Sequence, residues 1–263
     1  MMTNILHNAD CLEILRTLPD NSIDAIVTDP PYYSTNLKFD KEPRLDFKNL
    51  LLELKRVLKQ NGVLVSFCDL NLLIELKQSN VFNSCYEIIW QKNQPQGYLH
   101  SKVRPLRNHE YILVLYDNLK STTYNPQKFN YQSSRFKLGD LNGCLDLKPA
   151  EHYGSKRKKT AYYEDGTRYP LSVVYAQNWN GGFSLARKEL LAKGFVSHPT
   201  QKPLDLVEYL IKTYSNEHDI ILDPFMGSGT TGIACKNLNR SFIGIEREPE
   251  YFETAQARIK NAK

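Results

Sequence analysis

The chain has 263 residues, of which 41% are hydrophobic, and this length suffices for one α/β domain with a full core and an insertion. The formal net charge is +5, and the five cysteines and six histidines show neither the paired spacing of a disulfide framework nor a zinc-ligand cluster. Because the sequence has no N-terminal signal region and no apolar run near the roughly 20 residues of a membrane span, we predict a cytoplasmic protein without membrane contact.

Strands and helices are predicted to alternate along most of the chain. Hydrophobic periodicity predicts strands at 4–7, 23–28, 63–68, 86–91, 111–116, 220–223 and 241–245. It predicts helices at 11–17, 47–59, 70–78, 204–214 and from the turn at 224–232 to 238. This order is typical of an α/β fold in which a largely parallel sheet is covered by helices on both faces. Such sheets bind ligands beyond the carboxyl ends of their strands.

The tetrapeptide Asp29-Pro30-Pro31-Tyr32 follows directly on the predicted strand at 23–28. Its two prolines fix φ and remove two backbone donors, so the turn presents a carboxylate and carbonyl oxygens as acceptors. A planar amine lying on the Tyr32 ring could donate one hydrogen to Asp29 and another to the Pro30 carbonyl, as the exocyclic amino group of a nucleobase would. The alternative is a loop that is only stiffened by its prolines.

A glycine-rich turn, 224–232, joins the predicted strand at 220–223 to a helix. Its glycines would let backbone N–H groups approach a ligand closely, and Glu246, at the end of the next strand, stands where nucleotide-binding sheets hold ribose hydroxyls. Gly227, Gly229 and Gly232 also match the dinucleotide fingerprint, which leaves an NAD enzyme as an alternative, although 223–225 separates the strand from the first glycine. A P-loop fits less well because no lysine follows the glycines.

Together these motifs resemble those of the beta class of amino DNA methyltransferases, which use S-adenosylmethionine to methylate adenine N6 or cytosine N4. The motifs that carry the resemblance are Asp29-Pro30-Pro31-Tyr32, His198-Pro199-Thr200-Gln201-Lys202-Pro203 and Asp223-Pro224-Phe225-Met226-Gly227-Ser228-Gly229-Thr230-Thr231. Segments at 10–15, 90–92, 109–113 and 246–251 are also similar, whereas the central stretch does not match in detail. The resemblance implies a Rossmann-like methyltransferase fold with permuted motif order.

The resemblance also implies a role for individual residues. Catalytic roles fall to Asp29, Pro30, Pro31 and Tyr32, with the target base flipped out of double-stranded DNA. The implied S-adenosylmethionine contacts are Asp10, Cys11, Asp29, His198, Thr200, Lys202, Asp223, Phe225, Gly227, Ser228, Gly229, Thr230 and Glu246. Thr200 and Lys202 are expected at the carboxylate of the cofactor and Asp10 near its adenine. Helix capping by Asp10 and core packing by Phe225 remain alternatives, and no metal is expected.

An inserted, basic target-recognition region is predicted at 118–197, between the two parts of a catalytic domain at 1–117 and 198–263. Ten Lys or Arg and five Asp or Glu residues lie between 118 and 175, and aromatic residues stand between them, as on surfaces that contact phosphates and bases. We predict that its densest run, Lys156-Arg157-Lys158-Lys159, contacts DNA. A solvated loop is the alternative.

We therefore predict a site-specific DNA methyltransferase that acts on adenine N6. In the resembling family, Asp at the first position of the first motif leans towards adenine and Ser towards cytosine. The alternatives are a cytosine-N4 enzyme, a nucleic-acid-binding regulator without catalysis and, more distantly, an NAD-dependent oxidoreductase. The sequence leaves open whether the protein forms a homodimer and whether a cognate restriction endonuclease acts on the same site.

Overall fold

The computed structural model describes residues 3–34, 43–130, 167–177 and 200–262. Contacts divide the chain into a larger unit, Met1–Asn125 with Ser172–Lys263, and a smaller unit, Pro126–Leu171. The described strands are β1 Asn4–Asn8, β2 Ile23–Thr28, β3 Leu58–Cys68, β4 Ser84–Gln96, β5 Arg107–Tyr116, β6 Phe129–Asn130, β7 Thr167–Arg168, β8 Val173–Ala176, β9 Ile220–Asp223 and β10 Ser241–Glu246. The described α-helices are α1 Cys11–Leu15, α2 Phe47–Val57, α3 Leu70–Gln78, α4 Leu204–Tyr214, α5 Thr230–Asn237 and α6 Pro249–Asn261.

The larger unit is built on an eight-stranded sheet in the order β1-β10-β9-β2-β3-β5-β4-β8. The five strands from β1 to β3 are parallel, β5 is antiparallel to both of its neighbours, and β8 is parallel to β4. Strand β10, which follows β9 in the chain, lies next to β9 towards the β1 edge of the sheet. Strand β3, which follows β2, lies next to β2 towards the opposite edge. The loops that follow the adjacent strands β9 and β2 therefore diverge, and such a switch point leaves a crevice at the carboxyl ends of the strands.

Helices cover both faces of the central strands. Along β2, Val27 packs into the core that contains residues of α4, α5 and α6, and its neighbour Ile26 packs into the core that contains residues of α1, α2 and α3. This alternation follows from the two-residue period of a strand, and burial on both faces is usual for parallel sheets. The carboxylates of Asp10, Asp46 and Asp69 accept backbone N–H bonds at the starts of α1, α2 and α3.

The predicted α/β class and the predicted strands and helices within the larger unit are confirmed, with differences at their ends. The bounds of β2, α3, α4 and β9 are those predicted, whereas β3 begins at Leu58 and β4 runs on to Gln96. The sequence analysis missed β6 and β7, which have two residues each, and β8, a short apolar run inside the predicted insertion. Within the described ranges, no helix has the length and apolar composition needed to cross a membrane.

The predicted division of the chain at 117 and 198 stays a prediction. Strand β8 lies inside the predicted insertion, yet it pairs with Ile89–Lys92 of β4 in the main sheet. The smaller unit, within which β6 pairs with β7, begins only at Pro126 and ends at Leu171. The predicted DNA contacts at 156–159 and the predicted cofactor contact His198 lie outside the described residues.

Candidate active site

A cleft of about 330 Å³ opens at the carboxyl ends of the parallel strands. It is lined by the turn that follows β2, by the glycine-rich turn that follows β9, and by residues at the ends of β1 and β10. Its volume falls in the lower part of the range of small-ligand pockets, roughly 300–1,000 Å³. Two motifs that are almost two hundred residues apart in the sequence thus face one cavity, as predicted from the positions of Asp29 and Asp223 at strand ends.

Asp29 is the first residue after β2, and both of its carboxylate oxygens accept hydrogen bonds. The Tyr32 hydroxyl donates to Oδ1 at 2.6 Å, and the Lys202 ammonium donates to Oδ2 at 2.6 Å. Burial raises the pKa of Asp29, and the positive charge of Lys202 opposes this rise. Burial and the neighbouring Asp29 also raise the pKa of Tyr32 well above its usual value, so the phenol remains a hydrogen-bond donor at neutral pH.

A chain of alternating charges extends from Asp29 along one wall of the cleft. The Lys202 ammonium lies 3.6 Å from Oε2 of Glu110, and the Lys92 ammonium bonds to Oε1 of the same carboxylate. Both lysines are buried, with Lys92 also over the Trp90 ring at 4.8 Å. Desolvation lowers the pKa of Lys92, whereas the two carboxylates raise the pKa of Lys202 in spite of its burial. The cluster contains two cations and two carboxylates, which balance each other's charge in a site where an unpaired charge would be costly.

Glu246 and the glycine-rich turn hold each other in place. Glu246 Oε2 accepts the backbone N–H of Gly227 at 2.9 Å, and Oε1 accepts that of Glu248 at 2.8 Å. Gly227 and Gly229 have φ values of 51° and 79°, which favour glycine. Burial raises the pKa of Glu246, while these backbone hydrogen bonds lower it. Glu246 thus presents to the cleft a carboxylate whose remaining lone pairs can accept hydrogen bonds from a ligand.

Asp223 joins the two central strands behind the cleft. Its Oδ1 accepts the Thr28 hydroxyl at 2.8 Å, and its Oδ2 accepts the Thr231 hydroxyl at 2.6 Å. The backbone N–H of Phe225 also donates to Oδ1 at 3.1 Å. Burial raises the pKa of Asp223 to about 7. These bonds fix the turn that begins after β9, so Asp223 shapes the cleft from within the protein.

Comparison with known proteins identifies the family. A family model described as DNA methylase, of the N6/N4 type, matches residues 23–257. The chain belongs to the N6/N4 DNA methylase family. It is 33% identical over 267 residues to the type II methyltransferase M.HpaI of Haemophilus parainfluenzae, covering 95% of this chain and 72% of that protein. It is 28% identical to the type II methyltransferase M.BglII of Bacillus subtilis, covering 96% of this chain and 68% of that protein.

Solved structures agree with this assignment. The M1.HpyAVI–SAM complex has 28% identity and a TM-score of 0.60, with 97% of this chain and 100% of that chain covered. The cytosine-N4-specific PvuII DNA methyltransferase has 18% identity and a TM-score of 0.66 over 98% of this chain and 87% of that chain, a likeness that shows the fold alone. The predicted Rossmann-like methyltransferase fold is therefore confirmed, and the protein is a DNA methyltransferase of the N6/N4 type.

Most residues predicted for the site of this DNA methylase line the cleft. They are Asp10, Cys11, Asp29, Pro30, Pro31, Tyr32, Thr200, Lys202, Asp223, Phe225, Gly227, Ser228, Thr230 and Glu246. Asp10 also accepts the backbone N–H of Leu12 at 2.9 Å, so its predicted alternative role as a helix cap is confirmed. Burial raises the pKa of the Cys11 thiol to about 12, which keeps it protonated at neutral pH.

Gly229 is placed differently from the other predicted residues. It does not line the cleft but lies against α6, where an added Cβ would be 2.9 Å from the Cβ of Ala255. The half-buried Arg258 of the same helix donates to the backbone carbonyl of Ser228 and, at 2.7 Å, to its hydroxyl. Helix α6 thus supports the glycine-rich turn from the side away from the cleft.

Sequence reasoning assigned no role to Lys92, Glu110 or Arg258. Lys92 and Glu110 lie in segments that resemble the family, and each stands beside a buried apolar residue on the same face of its strand, Trp90 for Lys92 and Ile112 for Glu110. A charged residue in a buried strand needs a partner, and this is the signal that could have marked the pair. Arg258 gave no comparable signal, because arginine is common on the exposed face of a terminal helix.

Proposed function

We propose that this DNA methylase transfers a methyl group from S-adenosylmethionine to N6 of an adenine that is flipped out of double-stranded DNA. One observation carries the proposal: the Asp29 carboxylate and the Tyr32 ring line the same cleft as Glu246 and the glycine-rich turn. Asp29, as the acceptor for an amino group, and Glu246, as the residue that would bind a nucleoside, thus line one cleft. The amino group of a base inside a duplex is out of reach of such a cleft, which is why flipping is required.

The residues at one end of the cleft fit S-adenosylmethionine. Bound there, S-adenosylmethionine supplies a reactive methyl group on a positively charged sulfur. Glu246 is held by two backbone N–H groups and can accept hydrogen bonds from ribose hydroxyls. Asp10, Cys11 and Phe225 line the cleft and would surround the adenine. The complex of M1.HpyAVI with this molecule, at 28% identity, supports the choice of cofactor.

The residues at the other end suit an exocyclic amino group. Such a nitrogen is a poor nucleophile because its lone pair is delocalised into the ring. Hydrogen bonds from the amino group to the Asp29 carboxylate and the Pro30 carbonyl would favour a pyramidal nitrogen whose lone pair points at the methyl group. The same acceptors would stabilise the positive charge that develops on the nitrogen, and the released proton would pass to Asp29 or to water.

The choice of adenine rests on Asp29, because in the resembling family an aspartate at this position leans towards adenine. The fold does not distinguish the bases, since the PvuII enzyme with the same fold is cytosine-N4-specific. A cognate restriction endonuclease that acts on the same DNA sequence is also part of the proposal, supported by the likeness to two type II methyltransferases.

The test is transfer of labelled methyl from S-adenosylmethionine to unmethylated genomic DNA, followed by nucleoside analysis. Label in N6-methyladenine is expected. Label in N4-methylcytosine would keep the mechanism and overturn the base assignment. The Asp29→Ala variant should bind DNA but transfer no methyl, and turnover by this variant would contradict the role of Asp29. An absence of label with the wild-type protein, in spite of cofactor and DNA binding, would refute the catalytic proposal.

A further inference from the structure

The Lys202 ammonium bonded to Asp29 conflicts with the task that the proposed function gives this carboxylate. Both carboxylate oxygens already accept hydrogen bonds at 2.6 Å, one from Tyr32 and one from Lys202. An incoming amino group would have to share Oδ2 with an ammonium group. As methyl transfer proceeds, the amino nitrogen becomes positively charged, and a second cation bound to the same carboxylate would repel it. The Lys202 ammonium therefore needs another place during the reaction.

Glu110 offers that place. Its Oε2 lies 3.6 Å from the Lys202 nitrogen, is shielded from solvent and accepts no hydrogen bond from the residues that the structure describes. A buried oxygen without a partner is uncommon in folded proteins and calls for an explanation. Ammonium–carboxylate hydrogen bonds are about 2.7–2.9 Å long, so a movement of about 1 Å would make this one. The side chain of Lys202 has four rotatable bonds with which to make that movement.

The carboxylate of Glu110 is held ready for this exchange. The Lys92 ammonium bonds to Oε1 and lies over the Trp90 ring. The Trp90 ring is itself fixed, because its N–H donates to the carbonyl of Ala176 at 3.0 Å. With Oε1 bonded to Lys92, Oε2 is the oxygen that faces Lys202. Strand β4, which carries Lys92 and Trp90, thus sets the position of Oε2 of Glu110.

We propose that Glu110 is a positioning residue that takes the Lys202 ammonium from Asp29 when a target base enters the cleft. Asp29 Oδ2 is then free to accept a hydrogen bond from the amino group. As the bond between the amino nitrogen and the methyl carbon forms, the bond between that carbon and the sulfur of S-adenosylmethionine breaks, and its electron pair stays on sulfur. The amino nitrogen then gives one proton to the Asp29 carboxylate, which passes it to water. Lys202 returns to Asp29 once that carboxylate is ionised again. This inference rests on the proposed function, because it takes Asp29 as the acceptor of the amino group.

The charged groups around Asp29 and Glu110 determine the direction in which the pKa of Asp29 should shift when the exchange is prevented. Lys202, Glu110 and Tyr32 act on Asp29, and Lys202, Lys92 and Arg107 act on Glu110; Asp223 is the further acid close enough to interact with Asp29. The negative charge of Glu110 raises the pKa of Asp29, in addition to drawing Lys202 away from it. Loss of that charge leaves Lys202 on Asp29 and lowers the pKa of Asp29.

The first test is the Glu110→Gln variant, with the dependence of kcat on pH as the readout. We expect kcat at neutral pH to fall about tenfold or more, the scale on which loss of one hydrogen bond to a charged group acts. The KM for S-adenosylmethionine should change less than about twofold, since uniform binding is retained. The pH below which kcat declines should move down. Glu87→Gln, the same change at an exposed position of β4, should leave kcat and its pH dependence unaltered.

The second test is Lys92→Met, which should act in the opposite direction. Without Lys92, the charge of Glu110 is balanced by Lys202 and Arg107 only, so the carboxylate draws the Lys202 ammonium more strongly from Asp29 and the pKa of Asp29 rises. The decline of kcat should then begin at a higher pH than in the wild type. A merely structural role would not give shifts of opposite sign, and if Glu110→Gln does not fold, Lys92→Met alone decides.

The outcomes separate this inference from the function on which it rests. Normal kcat and pH dependence in Glu110→Gln, shifts of the same sign in the two variants, or no shift in Lys92→Met would overturn the role of Glu110. In each of these cases wild-type turnover and an inactive Asp29→Ala variant would leave the proposed function standing. Failure of the wild type to methylate DNA, or turnover by Asp29→Ala, would instead remove the proposed function itself.

Discussion

Replacement of Tyr32 with phenylalanine would remove one hydroxyl and leave the aromatic ring in place. The lost bond is that from the phenol to Asp29 Oδ1, which is 2.6 Å long. A hydrogen bond to a charged group contributes about 1.5–3 kcal/mol, equivalent to a factor of roughly 10 to 100 in rate if it is felt fully in the transition state. Because Lys202 or the incoming amino group still bonds to Oδ2 of the carboxylate, we expect a fall in kcat near the lower limit, about tenfold.

The pH dependence of kcat offers an independent check. The hydrogen bond from Tyr32 lowers the pKa of Asp29, so its removal should raise that pKa. Methyl transfer needs Asp29 as the carboxylate, and activity is therefore lost as pH falls through its pKa. In Tyr32→Phe this loss should begin at a higher pH than in the wild type. Single-turnover methylation of a duplex oligonucleotide, measured between acid and neutral pH, would show the shift.

Tyr32→Ala provides the matched comparison, because it removes both the hydroxyl and the ring. Stacking of a base on an aromatic side chain contributes about 1–3 kcal/mol, so the alanine variant should lose a further factor of roughly ten or more. An alanine variant no worse than the phenylalanine variant would refute stacking on Tyr32. A phenylalanine variant with wild-type kcat and an unchanged pH dependence would refute the argument that the phenol orients Asp29.

Three further changes probe the framework of the site. Gly227→Asp should weaken S-adenosylmethionine binding more than about tenfold in a calorimetric titration, because it places a side chain at a φ of 51° in the lining of the cleft; normal affinity would mean that the turn is misassigned. Gly232→Ala should lower the free energy of unfolding by about 1–3 kcal/mol in urea, since the added Cβ would be 2.4 Å from Cδ1 of Ile259; unchanged stability would refute the close packing. Because the pKa of Asp223 rises from 3.8 to about 7 on folding, its stabilising contribution is complete below 3.8 and is lost as pH rises to about 7. Asp29 and Glu246, whose pKa values are also raised, contribute in the same direction, so this pH dependence of unfolding should be weaker in Asp223→Asn than in the wild type. An equal dependence in the two proteins would exclude Asp223 as a source.

The sequence predicted the architecture well because its apolar periodicity is strong where the sheet is buried. Strand β2 and helix α4 were predicted with the bounds that the structure gives, since both are rich in apolar residues, and Pro203 stands directly before α4. The placement of Asp29 and Glu246 followed from a general property of parallel sheets, whose strands end at one edge. Short β8 is also apolar but was not predicted, and within the described residues it joins the sheet through its pairing with β4.

The charge cluster could not be predicted in the same way. The expected role of Lys202 at the carboxylate of a cofactor stays a prediction, and nothing in the sequence indicated that its ammonium bonds to Asp29, a residue 173 positions earlier. Glu110 and Lys92 come from two further strands. Periodicity predicts which residues are buried, but it does not predict which buried charges meet, because that depends on the order and direction of the strands.

The reversed direction of β5 has a consequence for how the enzyme matures. Because β5 is antiparallel to β3, Glu110, near its start, lies at the edge where β3 ends and thus close to Asp29. Until the segment that carries Lys202 docks, Asp29 would face Glu110 without a cation beside it, whereas Glu110 is already paired with Lys92. A buried carboxylate without a cation takes up a proton instead of ionising, so docking of Lys202 would ionise Asp29 and complete the acceptor. Only the complete fold, in which Lys202 has reached Asp29, would then be able to catalyse methyl transfer.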